Sequence, residues 1–166
     1  DGTLLENFNN SNINAIGIEP SKNVYESSIK KKVKTYNNFF NTDIIDQFPR
    51  LINKVDVICA ANVICHIPNL KNLIKTIDKF LDSEGVFIFE EPYLGSMYNK
   101  ISFDQIYDEH IYMFSATSIK KIFNIFDFEL VDVLPQITHG GSLRYIVARK
   151  NKFEINKNVF NILDEE

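Results

Sequence analysis

Apolar positions fall into two alternating rhythms along most of this chain. Leu70, Leu73, Ile74, Ile77, Phe80 and Leu81 recur at helical spacing with lysines between them, predicting a helix over 70–81. Thr117 to Phe126 repeats the pattern, with Ile119, Ile122, Phe123 and Phe126 facing inward. Before and between these lie short continuous apolar runs, VDVICA from Val55 and GVFIFE from Gly85, which read as strands buried on both faces. AIGIE from Ala15 and Val33 to Phe40 read as two more strands. Gly85, after Ser83-Glu84, is placed to end the preceding helix. Phe128–Leu134 and Ser142–Arg149 are strands with no helix between them, so they should run antiparallel.

Weaker signals fill the gaps. Thr3 to Phe8 starts a helix capped by Asp1 or Thr3, and Ser21 caps a helix reaching about Ser28. Asp43 to Ile52 is weakly helical and broken by Pro49. The stretch from Asn151 to Glu166 is polar and shows no clear partner. Strands alternating with helices predict an α/β fold with a mostly parallel sheet and an antiparallel last strand. No repeat or low-complexity tract interrupts it.

Composition narrows the class. The 166 residues are 45% hydrophobic and 24% charged, enough for one domain with a core. A net charge of -4 gives no basic surface for nucleic acid. The Lys30-Lys31-Lys32 run reads as a solvated helix end. Cys59 and Cys65 read as reduced, buried thiols of a cytoplasmic protein. No apolar run reaches about 18 residues, so no membrane partner is expected. The three histidines and two cysteines match no metal-binding spacing, and there is no P-loop or nucleophile elbow.

In open α/β sheets, ligands bind beyond the carboxyl ends of the strands. Glu19, followed by Pro20 and Ser21, is a carboxylate there, suited to ribose hydroxyls or simply to water. Asn62 leaves the VDVICA strand and can bind a ligand or cap its own turn. Glu90 and Glu91 end the next strand. His66, before Ile67-Pro68, is either structural or a hydrogen-bond donor to a substrate carbonyl. The THGGSLR turn offers His139, Gly140, Gly141, Ser142 and Arg144 to a diphosphate or sugar, or is a hairpin using its glycines.

The densest chemistry is FDQIYDEHIYMFS, Phe103 to Ser115. Tyr107, Asp108, Glu109 and His110 stand together, flanked by Phe103, Tyr112 and Phe114. Histidine is the side chain best suited to take a proton near neutral pH. In a helix, Tyr107 would share its face. Taken alone, the segment also reads as an amphipathic helix with its rings in the core.

In order and spacing, DGTLL, GIEPSKNV, ANVICHIPNL, FEEPY, FDQIYDEHIYMFS and HGGSLR resemble the S-adenosylmethionine-dependent C-methyltransferases of nucleotide-linked deoxysugars. The likeness covers nearly all of residues 1–149, and YDEH followed by HGGSLR is its most distinctive part. It implies a class I methyltransferase Rossmann-like sheet. It implies that Asp1 and Gly2 end the cofactor loop, Glu19 (with Pro20) binds the donor's ribose, and Asn62 lines the donor pocket. His110 would be the general base, Tyr107 and Glu109 would place the sugar, and His66 would hold the keto sugar or stabilise its enolate. The partner would be a nucleotide-sugar, and no metal would be needed.

That family's first strand and most of its glycine loop precede DG, so the sheet is expected to lack its first strand. The chain then reads as a piece of a longer protein. Residues 1–150 would form a partial S-adenosylmethionine-binding domain, and 151–166 a tail or the start of a following domain. A zinc-binding domain would precede it. The rival readings are an O- or N-methyltransferase of the same fold and a non-catalytic nucleotide- or sugar-binding module.

Overall fold

The computed structural model of the chain describes residues 2–8 and 12–166. These residues form two compact units, divided between Phe48 and Pro49. The expected role of Asp1 lies outside the described residues.

The first unit holds helix α1 (Thr3–Glu6), strand β1 (Gly17–Ile18), helix α2 (Lys22–Lys30) and strand β2 (Thr35–Tyr36). β1 and β2 pair in parallel. Both strands are shorter than their apolar runs predict. A 3-10 turn over Thr42–Gln47 follows, capped by the Asn41 side chain. Gly2, not Thr3, stands at the start of α1, with φ at 78° and no side-chain cap, and the Asp1 alternative lies outside the described residues. A Cβ on Gly2 would also sit 3.0 Å from the Ser28 Cβ. Of the lysine run, Lys31 is not merely solvated: its Nζ donates to Thr3 Oγ1 at 2.7 Å and faces Glu6 at 3.7 Å.

The second unit contains strand β3 (Val55–Ala61), helix α3 (Leu70–Phe80), strand β4 (Leu81–Pro92) and helix α4 (Leu94–Lys100). Helix α5 (Ala116–Asn124), strands β5 (Phe128–Gln136) and β6 (Ser142–Arg149), and helix α6 (Lys157–Glu165) follow. Its sheet has the order β3-β4-β6-β5. β3 and β4 are parallel, and β6 runs antiparallel to both neighbours, as the missing connecting helix requires. Asn69 caps α3 by accepting from the Asn72 N–H at 3.0 Å, and Leu73, Ile74, Ile77 and Phe80 are its buried stripe. In α5, Ile119 and Phe123 are buried and Ile122 is half-buried; the helix ends at Asn124, so Phe126, also half-buried, lies in the turn beyond it.

β3 corrects the sequence reading. Its apolar run predicts a strand buried on both faces, yet it is an edge strand with Val57 48% exposed. Cys59 is exposed as well, and only Cys65 is the buried thiol expected. β4, in contrast, is central and alternates strictly. Phe87, Phe89 and Glu91 point into the core, where Phe89 stacks on Phe87 at 4.8 Å and on Tyr145 at 4.9 Å.

Gly85 does not end the helix. α3 stops at Phe80, β4 begins at once, and Gly85 lies inside the strand. A Cβ there would stand 2.8 Å from both the Val55 carbonyl oxygen and Leu81 Cγ. The glycine is needed for close backbone approach of β3 to β4. Gly85→Ala should therefore cost about 1–3 kcal/mol. Thermal melting checks this: an unchanged midpoint would show that β3 moves aside freely.

The final residues have a partner that their polarity hides. α6 buries Val159 and Ile162 and packs on β5 and α5. The Glu166 carboxylate accepts from the Ala116 N–H at 2.6 Å and the Thr117 N–H at 2.8 Å, closing the start of α5. Burial pushes this carboxyl up, but bonds from Thr117, the Ala116 backbone and the Tyr93 hydroxyl together hold it below its ordinary value. A depressed carboxyl stabilises the fold above its unfolded pKa and loses that contribution as pH falls through its folded pKa. Glu166→Gln should lower the melting temperature at neutral pH by an amount worth about 1 kcal/mol. The gap between the two proteins should close as the pH drops below about 4.5. A gap constant down to acid pH would show that the charge is irrelevant.

Candidate active site

The chemistry in the second unit gathers on a short connector after β3. A 3-10 turn, Ile64–His66, follows Asn62 and Val63. Strict alternation along β4 turns Glu91 inward beneath it. Glu91 is completely buried, and its Oε1 accepts from the Val63 N–H at 3.0 Å and the Ile64 N–H at 2.6 Å. The turn is thus held from below by a carboxylate on the neighbouring strand. Burial and the adjacent Glu91 carboxylate push the Cys65 thiol well above its usual range.

The Cys65 carbonyl then receives the second segment. It accepts from the Ile111 N–H at 3.0 Å and the Tyr112 N–H at 3.3 Å, while Tyr112 Oη donates to the Pro68 carbonyl at 2.8 Å. These bonds fix an extended piece of chain. After one 3-10 turn, Phe103–Gln105, residues 106–114 are not helical. Tyr107 and His110 meet all the same, through a turn closed by the His110 N–H on the Tyr107 carbonyl at 3.0 Å. The rings of the segment divide: Phe114 is buried, while Phe103 is 73% exposed.

Both histidines are tethered in the same way. His110 Nδ1 lies 2.8 Å from the Gln105 carbonyl, and His66 Nδ1 lies 2.6 Å from the Glu109 carbonyl. A carbonyl oxygen only accepts, so each Nδ1 carries the hydrogen. In the neutral rings each Nε2 is therefore a lone pair. That of His110 accepts from Tyr107 Oη at 2.8 Å, with the two rings 4.1 Å apart. The His66 and His110 rings stand 5.0 Å apart. His66 as a neutral ring can only accept at Nε2, and it must be charged to donate to an enolate oxygen. Glu109 contributes its carbonyl to His66, and its side chain is exposed.

Asn62 occupies the left-handed region, φ 52°, with its N–H on the Glu90 carbonyl at 2.8 Å. Its Oδ1 is buried without a hydrogen-bond partner. A buried carbonyl oxygen left in this state favours a ligand that brings a donor.

The THGGSLR turn is built around Glu90. Arg144 pairs with Glu90 Oε2 at 2.9 Å, directly across the β4–β6 ladder, and Thr138 Oγ1 donates to Oε1 at 2.7 Å. Ser142 is buried and donates to the Thr138 carbonyl at 3.1 Å. Arg144 and Ser142 thus brace the turn. Gly141, at φ 127°, lets the chain pass Ser96, whose Oγ a Cβ would meet at 2.5 Å. Gly140 also has positive φ, its carbonyl accepts from Lys100 Nζ, and His139 is exposed.

In the first unit, Glu19 follows β1, and its Oε1 accepts from the Ser21 N–H at 2.8 Å. Asn37 donates to the Glu19 and Pro20 carbonyls at 2.8 and 2.9 Å. The Glu19 turn is thereby fixed with its second carboxylate oxygen still available. That oxygen suits a ligand that brings hydroxyl donors.

Sequence reasoning named Glu91 beside Glu90 at the strand end but gave it no role in this site. The EE pair after GVFIF names two candidates, and only the pleat assigns the inner one.

The sheet order and its antiparallel last strand define an α/β fold of the class I methyltransferase, Rossmann-like type. A structure of a SAM-dependent methyltransferase from Anabaena variabilis aligns at TM-score 0.68 and 17% identity, covering 90% of this chain and 73% of that one. One from Archaeoglobus fulgidus aligns at TM-score 0.66 and 17% identity, covering 89% and 80%. Residues 1–133 match the family described as a methyltransferase domain, and the chain belongs to that family of enzymes. A curated relative, the C-methyltransferase NovU of Streptomyces niveus, is 25% identical over 166 residues. That alignment takes in 99% of this chain and 40% of NovU's length.

Proposed function

We propose that this chain takes part in S-adenosylmethionine-dependent methyl transfer to carbon on a nucleotide-linked keto-deoxysugar. The observation that carries the reading is the Tyr107–His110 pair, with His110 Nε2 left as a lone pair by the Gln105 carbonyl. Transfer to carbon cannot proceed without such a base, whereas transfer to oxygen or nitrogen needs no carbon acid. The relative named as a C-methyltransferase supports the same choice.

Carbon becomes nucleophilic only when a proton next to a carbonyl is removed. Tyr107 Oη takes that proton as its own hydrogen passes to His110 Nε2. The C–H electron pair moves to the ketone oxygen, giving the enolate. The new imidazolium keeps its Nδ1–H on the Gln105 carbonyl, which stabilises the charge. His66 in its charged form donates to the enolate oxygen; in its neutral form it accepts from a sugar hydroxyl. When bound, S-adenosylmethionine supplies an electrophilic methyl group. Asn62, through its buried Oδ1, would accept from one of its donors. Positioning of the carbon then supplies much of the acceleration.

The test is the product. The chain, incubated with a nucleotide-linked keto-deoxysugar and donor carrying a 13C methyl group, should yield a carbon-bonded methyl by NMR. An O-methyl or N-methyl resonance would replace this reading with its rival. Binding of both ligands without turnover would favour a non-catalytic module.

A further inference from the structure

We propose that Cys65, His66 and His110 form a binding site for a thiophilic divalent cation such as Zn2+, and that occupancy silences the Tyr107–His110 pair. One ligating atom from each of the three side chains lies within 4.8 Å of the others. Cys65 and His66 are adjacent, while His110 comes from a segment more than forty residues away, so no sequence spacing announces the cluster.

The surroundings match what metal-binding imidazoles need. Such a ring nearly always gives its other N–H to a carbonyl or carboxylate, which fixes tautomer and direction. Here both do so, His66 to Glu109 and His110 to Gln105. The Nε2 lone pairs are then the nitrogens left to ligate. Thiolate with imidazole is a donor set that selects zinc or copper over magnesium and calcium. Ligand atoms around tetrahedral zinc stand roughly 3.3–3.8 Å apart, given bonds of about 2.0–2.3 Å. A spread of 4.8 Å therefore needs closure by about 1 Å.

Binding breaks the Cys65 S–H bond, forms a sulfur–metal bond and releases one proton to solvent. Behind the thiol stands the carboxylate of Glu91, which is completely buried. Thiolate and carboxylate together offset the charge of a dication. The His110 lone pair cannot hold a metal and accept from Tyr107 at once. The loss of activity rests on the function proposed above; the binding itself does not.

The test uses the reduced, metal-stripped chain titrated with Co2+. One equivalent should produce a thiolate-to-cobalt charge-transfer band with the visible bands of a four-coordinate ion, and Zn2+ should displace it. Cys65→Ala should erase the charge-transfer band, and Cys59→Ala should leave it. His66→Gln should weaken cobalt binding more than about tenfold. No band, or a band surviving Cys65→Ala, would overturn the site. If Cys65→Ala does not fold, an unchanged cobalt affinity in His66→Gln overturns it instead. Zinc should then abolish methyl transfer in the native chain and spare Cys65→Ala. A formed band with zinc-insensitive transfer would leave the cation site standing and remove His110 from the chemistry.

Discussion

His110→Ala is expected to abolish exchange of the sugar's acidic C–H with deuterated solvent, and to slow methyl transfer by about 10²–10⁴-fold. The effect should lie in proton abstraction. Tyr107 Oη has His110 Nε2 as its acceptor at 2.8 Å, and without that acceptor the phenol cannot lose its own proton as it takes another. Tyr107→Phe should fall in the same assay, because the Oη that receives the carbon's proton is gone. His110 is half-buried near the surface, so both variants should keep the native melting temperature within a few degrees. Exchange that continues in His110→Ala would place the base elsewhere.

Glu91→Ala is expected to have the largest effect on stability. The substitution removes the acceptor of the buried Ile64 N–H and the part-buried Val63 N–H, and empties a fully buried position. Leaving a buried donor unpaired costs about 1–3 kcal/mol, so the pair together should cost roughly 3–5 kcal/mol. For a chain of this size that is a fall of about 10 °C or more in melting temperature. Glu91→Gln keeps an acceptor oxygen and should recover most of the loss. Activity should fall in parallel, because the turn that Glu91 holds carries His66 and receives Ile111 and Tyr112 through the Cys65 carbonyl. A Glu91→Ala protein that melts like the native one would mean the turn holds itself.

Much of the architecture could be read in advance where one periodicity dominated. α3 begins and ends within a residue of its predicted limits, because Asn69 caps it and five apolar positions share a stripe. β6 matches its predicted span residue for residue. Reading failed where burial was inferred from composition alone. VDVICA looks like an interior strand, but neighbours decide burial, and among the described residues β3 pairs with β4 alone, in a sheet expected to lack its first strand. Gly85 looked like a helix stop because glycine serves both purposes. The Val55 carbonyl across the ladder decides between them.

The candidate site divides along the same line. Local chemistry marked YDEH, and the types and order of its residues were plain from the chain itself. The helix that would have put Tyr107 and His110 on one face does not form, yet a turn brings them together. THGGSLR was legible as a turn, but not that Glu90 occupies both Thr138 and Arg144.

By itself the amino-acid sequence determined the α/β class, the antiparallel final strand and the residue types able to move a proton. Those follow from side-chain periodicity and intrinsic chemistry, which are local properties. Only the tertiary structure decided which glutamate of the pair turns inward, which nitrogen of each histidine is free, and that Cys65 stands beside two imidazoles. The physical reason is that pleat, tautomer and proximity depend on hydrogen-bond partners far away in sequence, here Glu91 to Ile64 and His66 to Glu109.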